Sequence, residues 1–137
     1  MKTNKIPLQD AHIVYFDGGK PAAGKGITFG YVLKGPTGEV IHKYGGNRND
    51  NSLTTNDAEY IGLIEAISYC LRQGIRKTSI VGDSALIVSQ IKGTYRVKAK
   101  HLKVHHAVAK ELLANFEEYE INWVRREHNS EADAMCR

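Results

Sequence analysis

Cysteine is scarce in this chain of 137 residues: Cys70 falls in a predicted helix and Cys136 next to the chain end, with no Cys-x-x-Cys spacing. That argues against a disulfide framework and a thiolate zinc site, and it fits a reducing compartment. Long apolar runs are missing as well. No stretch approaches membrane-spanning length, and residues 1–10 carry charge and a proline but no apolar core of signal-peptide length. A cytoplasmic chain with no membrane partner is the expectation. Internal repeats and low-complexity segments are also absent, and the length suits one domain around one core.

A third absence is local. Between Ser84 and Lys110 there is no Asp or Glu, while Lys92, Arg96, Lys98, Lys100, Lys103 and Lys110 accumulate beside His101, His105 and His106. The whole chain is only modestly basic, at a formal charge of +4. A concentrated positive stretch suggests a polyanion, because each neutralised phosphate releases counterions. A solvated basic helix face explains the same pattern equally well.

What is present begins with His12 to Gly19. Ile13, Val14, Tyr15 and Phe16 suit a strand, and the run stops at Asp17, where two glycines free the backbone. A carboxylate buried there without a partner would have a raised pKa, so the position implies cationic company. Gly26 to Lys34 alternates with the period of a second strand, the Gly35-Pro36-Thr37-Gly38 turn follows, and Glu39 to Gly45 returns as an outer strand. After a polar connection over Gly46 to Ser52, the spacing predicts a helix from Thr55 to Gln73 that Gly74 ends.

Thr78 to Gly82 then reads as a buried strand reaching Asp83, Ser84 to Lys92 as a helix closed by Gly93, and Lys100 to Phe116 as a further helix. Tyr119 to Val124 is the last strand, and Asn129 is expected to cap a short helix from Ser130. The order βββαβααβα, with a helical crossover between parallel strands, places the chain in the α/β class as a mixed sheet flanked by helices.

Three more acids share the situation of Asp17 at element boundaries: Glu59, Asp83 and Asp133. Sites in open α/β sheets form beyond strand ends, so the four can meet on one rim. Each of the three also has a purely structural explanation: Glu59 as partner of Asn56 in a capping box, Asp83 as an N-cap, Asp133 as a helix-dipole partner. Glu59 shares its helical stripe with Leu63, Ala66 and Cys70, which turns it inward, whereas Glu65 belongs with Ser68 and Arg72. Inward carboxylates repel unless a divalent cation lies between them. Oxygen donors without His or Cys favour Mg²⁺, with Mn²⁺ as the alternate, over zinc. Two such ions about 4 Å apart form a clamp for in-line displacement at phosphorus.

Phe16-Asp17-Gly18-Gly19, Asn56-Asp57-Ala58-Glu59-Tyr60, Gly82-Asp83-Ser84 and Asn129-x-x-Ala132-Asp133, in that order, resemble the type 1 ribonuclease H proteins. The resemblance runs from about His12 to the chain end, leaving residues 1–11 as an N-terminal extension to a catalytic domain over 12–137. It implies a ribonuclease H-like fold, a five-stranded mixed sheet of order 3-2-1-4-5 flanked by helices. It also implies an endoribonuclease that cuts the RNA strand of RNA–DNA hybrids with two Mg²⁺ ions, leaving 5′-phosphate and 3′-hydroxyl ends.

By the same resemblance, Asp17, Glu59, Asp83 and Asp133 are the metal-binding catalytic acids. Gly18, Gly19 and Asn56 match the contacts to RNA 2′-hydroxyls, Thr54 a DNA-phosphate contact, Tyr95 the aromatic against the DNA sugar, and Ser84 a further substrate contact. The chain departs from the family at Lys20 to Gly26, where a Gly-Asn-Pro-Gly loop is common. The segment between Gly93 and His101 is too short for the basic handle of many bacterial members. Arg126 and His128 occupy the place of the family's loop histidine, which resembles a short-loop, handle-lacking subgroup.

The hybrid is the one partner so implied. No obligate protein partner is suggested, and a monomer is expected. Rival readings are an inactive hybrid-binding module, a nuclease for other nucleic acids on the same fold, and a structural domain, which leaves the inward acids without cations.

Overall fold

A computed structural model describes Leu8, residues 10–22 and residues 24–137. The expected N-terminal extension lies largely outside them. Five strands, β1 (His12–Gly19), β2 (Ile27–Lys34), β3 (Val40–Arg48), β4 (Lys77–Gly82) and β5 (Glu118–Trp123), form one sheet in the order β3-β2-β1-β4-β5. The β1–β2 and β2–β3 pairs are antiparallel, and β1–β4 and β4–β5 are parallel. This is the expected mixed sheet. Its helices are α1 (Thr55–Arg72), α2 (Ala85–Lys92), α3 (Lys100–Leu113) and α4 (Ser130–Ala134), with a 3-10 turn at Arg126–His128 before α4.

The main core joins Val14, Phe16, Leu33, Ile80 and Ile121 of the sheet to Leu63 and Ile67 of α1, Ile87 and Ile91 of α2, and Leu113 of α3. β1 lies at the centre of the sheet, so its end is walled on both sides by neighbouring strands. Burial along α1 follows the inward stripe, with Glu59, Leu63, Ala66 and Cys70 all buried.

Two element ends move by three residues and one expected cap does not form. β3 continues to Arg48 through residues expected to form a connection, because β2 offers partners as far as Ile27, paired with Arg48. A ready ladder outweighs the turn preference of glycine and asparagine. α3 stops at Leu113 and not at Phe116; the Asn115 amide donates to the carbonyls of Glu111 and Leu112, competing with further helical bonds. Phe116 is buried all the same, carried in by the turn. Asn129 does not cap α4 with its side chain, which is employed elsewhere, as described below.

Candidate active site

The parallel ladder of β1 with β4 ends at Phe16 opposite Gly82, so Asp17, still paired with Gly30 of β2, and Asp83, just past the end of β4, come side by side. Glu59 reaches them from the second turn of α1. One carboxylate oxygen from each of Asp17, Glu59 and Asp83 lies within 4.8 Å of the others.

The local caps explain why these side chains are free. Thr54 starts α1, and the capping box pairs it with Asp57, not Asn56 with Glu59 as the structural alternative had it. α2 is capped by Ser84, whose Oγ accepts from the Ile87 N–H at 3.2 Å, so Asp83 is not the cap. Glu59 Oε1 is buried with no hydrogen-bond partner among the described residues.

Burial, reinforced by the Asp83 charge, pushes the Asp17 carboxyl up to about 7. Burial and then the Asp17 charge push Glu59 to about 9. Without a cation the cluster therefore holds protons at neutral pH. A hard divalent ion would replace those protons and give the orphaned Glu59 oxygen a partner, so the donor set fits such an ion. Asp133 differs. Its Oδ2 accepts from Arg137 at 2.7 Å, and that bond holds its carboxyl below the usual range against the effect of burial.

Other expected residues flank the acids. Gly18 packs so closely on α1 that a Cβ there would meet the Ala58 carbonyl oxygen at 2.3 Å, whereas Gly19 faces open space. Both line a cleft of about 410 Å³ with Asp17, Asp133 and Arg137. Asn56 and Tyr95 line a separate groove, and Tyr95 is 60% exposed. The hydroxyls of Thr54 and Ser84 serve as helix caps. Arg126 and His128 lie in the exposed 3-10 turn, with the Arg126 charge felt at Asp133.

Asn129, expected only as a cap, is 1% exposed and donates its amide to the Phe16 carbonyl at 2.9 Å and to Asp83 Oδ2 at 3.1 Å. Facing two acceptors, the side chain must present its NH₂ group there. It thereby ties the end of β1 to Asp83. Asn129→Ala is expected to lower any activity of this acid cluster roughly 10–100-fold, the usual cost of losing an outer support of a metal ligand, while the fold survives. Steady-state kinetics with a melting curve checks it; unchanged turnover would reduce Asn129 to packing.

Two further residues escaped the sequence reading. Arg137 was signalled by its i+4 spacing from Asp133. Asp57 had no local signal for its further contacts: it accepts from His101 and His105, four apart on α3. Burial opposes its ionisation, but the Thr54 N–H and His101 bonds bring its carboxyl down to about 2.

The chain also resembles characterised proteins. The reverse transcriptase-like family model matches residues 16–137. Ribonuclease HI of Halobacterium salinarum is 31% identical over 122 residues, 89% of this chain and 60% of that protein. The chain thus spans less than two thirds of that relative's length. The structure of ribonuclease H1 from Halobacterium salinarum superposes with a TM-score of 0.85 at 30% identity, covering 91% of this chain and 93% of that one. A ribonuclease H1 isolated from compost, solved in complex with an RNA/DNA hybrid, gives 0.81 at 27% identity over 90% of this chain and 92% of the other.

Proposed function

This chain belongs to the reverse transcriptase-like family and has the ribonuclease H fold, and on that premise we propose that it hydrolyses the RNA strand of RNA–DNA hybrids. The products are 5′-phosphate and 3′-hydroxyl ends, and the catalytic domain is 12–137. One observation carries the reading: three carboxylates converge where the parallel ladder of β1 with β4 ends, with a buried Glu59 oxygen left without a partner among the described residues. Two Mg²⁺ ions, when bound, supply charge neutralisation at the scissile phosphate and activation of the attacking water; Mn²⁺ is the alternate.

Asp17, Glu59 and Asp83 hold the cations, and Asp133 completes the set with its carboxylate oriented by Arg137. Arg126 draws in the phosphate, and His128 stands by to protonate the leaving oxygen. Gly18, Gly19 and Asn56 meet RNA 2′-hydroxyls, Thr54 and Ser84 the backbone, and Tyr95 the sugar of the uncut strand. A cytoplasmic monomer is part of the reading. Both thiols are free, and among the described residues no helix is long and apolar enough to cross a membrane.

End-labelled hybrid, single-stranded RNA and double-stranded DNA, each with Mg²⁺, Mn²⁺ or EDTA, test it. The expected result is cutting of RNA only, only in the hybrid, and only with metal. A hybrid that binds yet stays intact with both metals would make the chain a recognition module. Cutting of the other substrates would make it a different nuclease.

A further inference from the structure

Asp57 lies two residues before Glu59 but serves another purpose. Its carboxylate is nearly enclosed, with residue exposure of 2%. Oδ2 accepts from the Thr54 N–H at 2.7 Å and the Thr54 hydroxyl at 2.9 Å, which completes the cap of α1. A capping box needs nothing more from its acid. Yet Oδ1 also engages His101 Nδ1 at 2.8 Å and His105 Nε2 at 3.0 Å, one helical turn apart on α3. Because an ionised carboxylate only accepts, both facing ring nitrogens carry their protons.

These two bonds tie the start of α3 to the start of α1. Among the described residues no side chain caps α3, whose N-cap residue is Ala99, so these bonds are side-chain ties to α1 and not a cap. The other polar ties of α3 run to α2: His106 Nε2 to the Gln90 carbonyl at 3.1 Å and Lys110 Nζ to the Ile91 carbonyl at 3.2 Å. His105 also stacks on Tyr60, with ring centroids 5.8 Å apart, and the Tyr60 hydroxyl donates to Gln90 Oε1 at 2.6 Å.

The segment leading into α3 carries Tyr95, Arg96 and Lys98, all exposed, along one wall of a groove of about 450 Å³. Asn56, next in sequence to Asp57, lines the same groove. An aromatic face with two cations suits one strand of a nucleic acid, which stacks on the ring and pairs its phosphates with the charges. α3 begins at Lys100, two residues after Lys98, so a displacement of its first turn would carry that wall with it.

We propose that Asp57, through His101 and His105, is a positioning residue that sets the wall of Tyr95, Arg96 and Lys98 against Asn56, so that the groove grips the uncut strand of the hybrid. The proposal rests on the hybrid-cleaving reading above. It separates Asp57 from its near neighbour Glu59: one sets affinity, the other turnover.

The test uses the double variant His101→Ala/His105→Ala, which leaves the Thr54–Asp57 cap in place. Hybrid affinity is read by fluorescence anisotropy in Ca²⁺, and cleavage in Mg²⁺ gives kcat and KM separately. The expected result is Kd and KM raised about tenfold, as for lost hydrogen bonds to a charged group, with kcat within about twofold. Arg96→Ala should weaken binding much less on this background than on the natural chain, because the two act through the same wall. His101→Gln/His105→Gln, which keeps a donor at each position, should recover part of the affinity.

A fall in melting temperature with unchanged Kd, additive Arg96→Ala losses, or a drop in kcat at constant Kd would each overturn the proposal. If the natural chain binds hybrid but does not cut it, the catalytic reading fails while the Kd cycle still decides the role of Asp57. If it binds no hybrid, both fail.

Discussion

Asp17→Asn is expected to lower hydrolysis of the RNA strand roughly a thousandfold, a loss of about 4 kcal/mol of transition-state stabilisation, while making the metal-free protein more stable above neutral pH. Both effects come from one fact: Asp17 is 6% exposed between two other carboxylates. Its carboxyl is raised from the ordinary 3.8 to about 7, first by burial and then by Asp83.

For an acid with a raised folded pKa, the stabilising contribution is complete below the unfolded value and is lost as pH rises through the folded one. The natural chain in EDTA should therefore lose stability from about pH 4 to pH 7, and further toward the Glu59 value of about 9, by an amount of order 2–4 kcal/mol. Asparagine cannot ionise, so much of that loss disappears. Melting curves in EDTA at pH 5 and 8.5 measure it, and added Mg²⁺ should restore the natural chain far more than the variant. A variant that still cuts hybrid, or that shows the same pH dependence as the natural chain, would remove Asp17 from the metal site.

Gly62→Ala should damage fold and activity together. An added Cβ at Gly62 would lie 2.4 Å from the Asp17 carbonyl oxygen, a distance that backbone cannot accept, so α1 must back away from β1. Overpacking of this kind costs roughly 1–3 kcal/mol, against which alanine's better helix propensity returns up to about 1 kcal/mol. The larger effect is on catalysis. Glu59 rides on the same helix less than one turn away, and a displacement of about 1 Å in a reacting group can cost on the order of a hundredfold in rate.

Gly74→Ala is the control. Its φ of +76° makes alanine strained there, but nothing lies within 4 Å of the added carbon, so it should cost about 1 kcal/mol and leave kcat alone. Urea melts and steady-state rates on both variants decide the matter. Equal loss of activity in the two would mean that close packing of β1 on α1 does not position Glu59.

Much of the site was legible because its residues announce themselves locally. The apolar run before Asp17 marks the strand, although β1 continues past Asp17 to Gly19 because β2 still pairs with it, and a 3.6-residue stripe through Glu59, Leu63, Ala66 and Cys70 turns Glu59 inward whatever the helix packs against. The expected strand order followed from the resemblance of four short motifs, and the sheet has that order. Local pattern failed where two local choices compete. Asn56 with Glu59 and Thr54 with Asp57 have the same capping spacing, and propensity does not rank them.

What the chain determined by itself was therefore the set of elements, the inward face of each, and the four acids at their boundaries, since backbone propensity and hydrophobic periodicity act over a few residues. Tertiary structure alone decided which capping box forms, that Asn129 bridges the Phe16 carbonyl and Asp83 across 113 and 46 residues, and that Asp57 joins His101 and His105 across 44 and 48. Those contacts depend on strand register and helix placement, which packing of the whole core sets, and no short window of sequence carries that information.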